Sequence, residues 1–177
     1  VPQNYEKAAG CYLKAAEHDA IVLYNLGCCC LNKGPKGREE AVYWFAKSAI
    51  LGNVTAQGML DCCQNAPHIY EKAVEVFTKA AEEGNATTQL YLGDCYAKGL
   101  CIPQNYKIAV CWYALSAILG NANAQYNLGY CFERGQGILQ SYEGAVYWYT
   151  KAAEQGHSAA QNELGNCYYD GKGVPRS

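Results

Sequence analysis

The sequence is poor in charge. Asp, Glu, Lys and Arg make up only 17% of its 177 residues, against roughly a quarter in ordinary soluble domains. Its 14 basic and 16 acidic side chains leave a formal charge of −2, and no window gathers the basic ones. Nucleic acid and anionic membrane surfaces are therefore excluded as partners. Long apolar runs are missing too. One uncharged stretch, residues 20–32, contains Asn25 and Gly27 and is shorter than the roughly 20 residues that a membrane-spanning helix takes, and the longer one, residues 108–132, is broken by Gly120, Asn121, Asn123, Gln125 and Asn127. No signal peptide and no initiator Met are visible. Sustained alternation of apolar and polar residues is also lacking, so no sheet is predicted. Histidine is scarce: His18, His68 and His157 fall at unrelated places near helix ends or loops, form no Cys/His or Ser/His pair, and read as solvated. With so little charge, the 16 tyrosines together with Asn and Gln must cover much of the surface.

What is present repeats. Residues 121–156 align without a gap on residues 85–120, a period of 36. Leu26, Leu60, Leu92, Leu128 and Leu164 form one column, and Ala8, Ala41, Ala73, Ala109 and Ala145 form another. Pro2, Pro35, Pro67, Pro103 and Pro175 share a third phase, where proline opens a helix or precedes one. Ala145, Val146, Trp148, Tyr149, Ala152 and Ala153 make an apolar stripe of helical period, which stops at Gly156 as its counterparts stop at Gly52, Gly84 and Gly120. Each unit is thus a pair of helices. First helices are predicted near 20–32, 54–64, 86–98, 122–134 and 158–170, and second helices near 4–18, 38–51, 69–83, 105–119 and 141–155. Gly27, Gly93, Gly129 and Gly165 sit inside first helices at about 1 kcal/mol each relative to Ala. Close approach of a neighbouring helix accounts for them.

The string AAQNELGNCYYDGKGVP (residues 159–175), continued in phase by QNYEKA from the start of the chain, and the recurrent AVYWYTKAAEQG (residues 145–156) resemble Sel1-like repeats. That family is related to the tetratricopeptide repeats. The resemblance covers the whole chain and implies an all-α fold, a right-handed α/α superhelical solenoid of helix-turn-helix repeats. Residues 1–177 then form one domain, with units 1–19 (partial), 20–52, 53–84, 85–120, 121–156 and 157–177 (partial). Val1-Pro2 and Val174-Pro175 share a phase, so a segment of a longer array is expected. Asp61 replaces the helix glycine, and 13 residues separate Leu60 from Ala73 where 17 separate Leu92 from Ala109, which predicts an irregular unit.

The 11 cysteines divide into a column and a remainder. Cys29, Cys63, Cys95, Cys131 and Cys167 follow the Leu column by three residues and read as small buried hydrophobes. Stacked units lie roughly 10 Å apart, too far for disulfides down that column. A cysteine-rich branch of the family carries one disulfide per unit; the matching places here are Ala49 and Gln57, Ala81 and Gln89, Ala117 and Gln125, Ala153 and Gln161. None is cysteine. Reduced thiols and a cytoplasmic location are therefore expected. Cys11, in the Trp44, Trp112 and Trp148 column, reads as a core substitution, while Cys101 and Cys111 have no evident partner. Adjacent cysteines such as Cys28-Cys29-Cys30 and Cys62-Cys63 diverge by about 100° on a helix, so neither metal nor cofactor is expected. GQG (135–137) and GKG (171–173) follow helices rather than strands and are not phosphate loops. Glu39, Glu40, Glu82 and Glu83 read as solvated charges at helix ends.

The resemblance places first helices on the concave side. With Leu128, Cys131 and Phe132 buried, the groove-facing set is Tyr126, Asn127, Tyr130 and Glu133; its counterparts are Tyr24, Asn25 and Cys28, then Met59 and Cys62, then Leu90, Tyr91 and Asp94, then Asn162, Glu163, Asn166 and Tyr169. Tyr with Asn suits recognition, since amides hold a peptide backbone and a stiff ring adds contact area. A non-catalytic adaptor for protein or peptide segments is expected, without a small-molecule substrate. The alternatives are penicillin-binding or β-lactamase-like hydrolysis, as the cysteine-rich branch suggests, and a thiol or metal sensor using Cys28 and Cys62. The first lacks a positioned Ser, Lys and Glu set.

Overall fold

The computed structural model describes residues 4–15, 18–32, 35–62, 67–99 and 102–174, with the backbone alone for 35, 36, 54, 58, 61, 62 and 67–72. Ten helices and no strand occur among the described residues. The first helices are α2 (Ala20–Leu31), α4 (Val54–Cys62), α6 (Ala86–Lys98), α8 (Ala122–Arg134) and α10 (Ser158–Asp170). The second helices are α1 (Tyr5–Ala15), α3 (Pro35–Ile50), α5 (Pro67–Glu82), α7 (Tyr106–Ile118) and α9 (Tyr142–Glu154). They gather into two compact units, Val1–Glu82 and Glu83–Ser177.

One column of capping residues starts the first helices. Asp19 accepts from the amides of Ile21 and Val22 at 2.8 and 3.2 Å. Asn53, Asn85 and Asn121 accept from the amide three residues on, at 3.0, 2.9 and 3.1 Å. Each bond satisfies a donor that the first helical turn leaves open. At the other end Gly135 takes the left-handed conformation, φ 66°, that any side chain would strain. Gly137 packs against the start of α7, where a Cβ would lie 2.2 Å from the Tyr106 carbonyl oxygen. The GQG turn is therefore a packing device.

The glycines inside the first helices mark the closest helix approach. A Cβ on Gly27 would fall 2.5 Å from the Phe45 ring, one on Gly93 2.4 Å from Tyr113, and one on Gly129 2.7 Å from Tyr149. At Gly165 it would meet nothing within 4 Å. Phe45, Phe77 and Tyr149 are fully buried and Tyr113 nearly so, which makes this aromatic column the centre of the core. Leu26, Leu60, Leu92 and Leu128 surround it, with Cys29, Cys95, Cys131 and Cys167 of the cysteine column; Cys63 lies outside the described residues.

Two sequence expectations are corrected here. Trp44, Trp112 and Trp148 are only partly buried, and Trp44 and Trp148 pack at the edge of the core. The ring that faces the helix glycine is the residue after each tryptophan, because only that side chain points at the gap the glycine opens. Cys11 is exposed, and Ala9 is the buried residue of α1.

Glutamine staples the turns. Gln125 Nε2 donates to the Ala117 carbonyl at 3.1 Å, and Gln161 Nε2 donates to the Ala153 carbonyl at 3.2 Å. Those pairs occupy the places where the family resemblance would set disulfides. A hydrogen bond there holds the end of one helix pair to the start of the next without oxidation. Ser116 adds a second tie, its hydroxyl donating to the Ala86 carbonyl at 2.6 Å.

Candidate protein-binding face

In the C-terminal unit, side chains of α6, α8 and α10 meet on one face. Asp94 of α6 anchors it. Its Oδ1 accepts from the Tyr113 hydroxyl at 2.7 Å and from Asn127 Nδ2 of α8 at 3.2 Å, while Oδ2 faces Lys98 at 3.5 Å. One repeat on, Glu133 Oε2 accepts from the Tyr149 hydroxyl at 2.8 Å. Each carboxylate thus ties the exposed face to a core ring. Burial first, and then the adjacent carboxylate, raise the ionisation of Tyr113 and Tyr149 far above the ordinary tyrosine range. Burial also pushes the Cys131 thiol up to about 11 and raises Cys167. These groups stay protonated at neutral pH, and such thiols are poor nucleophiles.

Several predicted groove residues come together here. Asp94 and Asn127 share a hydrogen bond, and Tyr130 stands exposed with the Arg134 guanidinium 5.5 Å from its ring centroid. Asn166 Nδ2 donates to Glu163 Oε2 at 3.1 Å. Asn162 and Tyr169 are exposed on α10, and Tyr91 is half-buried on α6. In the N-terminal unit Tyr24, Asn25 and Met59 are half-buried. Tyr24 tilts against Phe45 with centroids 5.6 Å apart, and a hydrogen bond with Cys28 raises its hydroxyl ionisation. The Cys62 side chain lies outside the described residues.

Three assignments change. Leu90 is 7% exposed and packs in the core with Val110 and Leu128, because its apolar side chain turns toward α7 rather than outward. Tyr126 is half-buried rather than free: its ring lies 5.8 Å from Tyr149 and stacks on His157 at 4.8 Å and 22°. His157 is a structural residue rather than a solvated one. Its Nδ1 accepts from the Ala160 amide at 3.1 Å and its Nε2 lies 3.0 Å from Asn123 Oδ1, so it caps α10 as Asn121 caps α8. Its place in the capping column, after Asp19, Asn53, Asn85 and Asn121, was the signal for that role. The bonds from Tyr113 and Tyr149 to carboxylates carried no such signal, because the acceptors stand at different repeat positions.

Among the described residues, no group of three His, Cys, Asp or Glu side chains is placed to hold a metal ion, and no helix is long and apolar enough to cross a membrane. The Sel1 repeat model matches residues 1–19, 20–53, 70–85, 86–121, 122–157 and 158–177. The gap at 54–69 falls in the unit whose shortened Leu60-to-Ala73 spacing predicted irregularity. Among solved structures, a protective antigen of uropathogenic Escherichia coli strains displaying an SLR fold is 30% identical, with a TM-score of 0.65 over 98% of this chain. This chain spans 38% of the length of that protein. A Sel1 repeat protein from Oxalobacter formigenes is 29% identical, with a TM-score of 0.62, covering 98% of this chain and 74% of that one. Helicobacter pylori cysteine rich protein B shares the fold at 22% identity and a TM-score of 0.59, over 73% of this chain and 96% of its own. Among curated proteins none matches. Ten helices in repeating pairs, glycines opened toward core rings and six matched repeats lead to one conclusion: the chain belongs to the Sel1 repeat family.

Proposed function

We propose that this chain is a non-catalytic scaffold that holds an extended polypeptide segment across the α6–α8–α10 face. One observation carries the reading. Asp94 and Glu133 are each bonded to a buried tyrosine hydroxyl, so the polar floor of that face is fixed before any partner arrives. A fixed floor lowers the entropy lost on binding. Above it stand an exposed aromatic ring, Tyr130, and amides suited to a peptide backbone, Asn127, Asn162 and Asn166. The buried tyrosines and thiols, held protonated, favour a structural role over acid–base or nucleophilic work.

Selection of random peptides on the full chain tests this. Selected peptides should lose about tenfold in affinity, about 1.4 kcal/mol, on Tyr130→Ala. An unchanged affinity would place the site elsewhere. The same reading has the thiols reduced in the working protein, so that denatured protein prepared without reductant titrates close to 11 thiols with Ellman's reagent.

A further inference from the structure

The second helices share an electrostatic feature from which α7 departs. α1, α3, α5 and α9 each carry a lysine in the last turn, Lys14, Lys47, Lys79 and Lys151, all in one repeat column. A cation there complements the negative end of the helix dipole. In α7 that column holds Leu115, and the last turn has no basic side chain. Three residues on, where α5 has Glu82 and α9 has Glu154, α7 has Ile118.

The result is an apolar stripe in water. Ile108, Cys111, Leu115, Ile118 and Leu119 are all exposed, Ile118 over 73% of its surface. From Ile108 to Ile118 the steps are those of positions a, d, a and d of a coiled-coil seam. At about 100° per residue all five side chains fall within an arc of about 100°. Such a seam fits another helix.

Laying the stripe on itself identifies that helix. Turned antiparallel about a two-fold axis level with Tyr113, it pairs Ile108 with Ile118 and Cys111 with Leu115 of the second copy, position a against d each time. The same register brings Lys107, exposed at the head of α7, level with Leu119 of the second copy, where the helix ends without its lysine. Each copy thus supplies the cation that the other lacks. A parallel pairing would set the two Lys107 side chains together and leave both helix ends bare. The formal charge of −2 per chain adds little repulsion.

We propose that α7 is the contact of a two-fold dimer, packed antiparallel against α7 of a second copy of this chain. One short helix from each copy buries less than the roughly 1,200 Å² of a durable complex, so the dimer is weak and forms at high concentration. α7 contributes nothing to the α6–α8–α10 face, and the dimer contact is independent of the peptide site.

Sedimentation equilibrium of the full chain under reducing conditions, from about 10 µM to about 1 mM, tests it, with half-association expected at about 100 µM. Leu115→Lys returns the lysine of the other second helices to an exposed position, so it should weaken association about tenfold or more and leave the melting temperature of the monomer unchanged. Lys107→Glu should weaken it about threefold, by setting a negative charge at the negative end of the second copy's helix. In the dimer the two Cys111 residues are offset by about 6 Å along helices about 10 Å apart, so bismaleimidohexane should join them. Cys111→Ser should abolish that cross-link. A monomer at the highest concentration, a dimer unaffected by Leu115→Lys or by Lys107→Glu, or a cross-link that maps only to other cysteines would overturn the proposal.

Discussion

The two units build the same core contact from different rings. Where a first-helix glycine opens a gap, the N-terminal unit inserts Phe45 against Gly27, and the C-terminal unit inserts Tyr113 against Gly93 and Tyr149 against Gly129. The phenol needs an acceptor at its tip, and the C-terminal unit supplies Asp94 and Glu133. At the corresponding positions of α2 the N-terminal unit has Cys28 and Leu31, neither a carboxylate. A single oxygen in the core thus goes with an acid on the face outside. The ring and its acceptor are one design element, and they give the C-terminal unit an acidic, ordered face that α2 of the N-terminal unit does not share.

The largest effect on this comparison comes from closing the gap itself. Gly129→Ala drives a methyl into the Tyr149 ring and should lower stability by about 2–3 kcal/mol in urea denaturation. Gly165→Ala, in the same column with open space around it, should stabilise α10 by up to about 1 kcal/mol. A similar loss at both would refute the gap as the reason for the glycine column.

Exchanging the rings comes next. Phe45→Tyr places a hydroxyl beside Gly27 with no carboxylate to receive it and should cost about 2 kcal/mol. Adding Cys28→Asp should recover part of that loss. In the C-terminal unit Tyr149→Phe removes a bond to a charged acceptor and should cost about 1.5 kcal/mol. If Phe45→Tyr is neutral, the acceptor is not what separates the units.

Alkaline pH sharpens the comparison without mutation. Folding raises Tyr113, Tyr149 and Cys131 above their ordinary values of 10.0 for tyrosine and 9.0 for cysteine. The unfolded chain therefore releases these protons first, and their contribution is complete below pH 9. It should fall as pH rises through about 11, where folded Cys131 ionises, and continue falling as the tyrosines follow. Tyr113→Phe with Tyr149→Phe should flatten the decline in stability measured by denaturation at successive pH values. The smallest stability effect belongs to Tyr130→Ala, within about 0.5 kcal/mol of the native chain, because the ring is exposed on the surface.

The helices were legible because their ends carry chemical marks. Asn85 and Asn121 open α6 and α8 and Gly99 and Gly135 close them, so the ranges 86–98 and 122–134 read directly from the sequence. α3 begins at Pro35, ahead of the expected residue 38, since proline at the first helical position extends the helix backward. The site was legible only in part. Periodicity gives the side of a helix, which placed Tyr130 and Asn166 correctly outward, but it cannot tell that Leu90 leans into the core or that Tyr126 rests on His157. Carboxylate partners escaped because Asp94 follows its column leucine by two residues and Glu133 by five, so repeat alignment never superposes them.

Site-specific photocrosslinking tests most directly that the α6–α8–α10 face receives the partner. A photoreactive phenylalanine analogue would replace Tyr130 of α8 in one protein and Tyr147 of α9, a more exposed tyrosine on a second helix, in another. The account predicts that a peptide selected on the native chain crosslinks at position 130 and not at position 147. Crosslinking at 147 with none at 130 would contradict it.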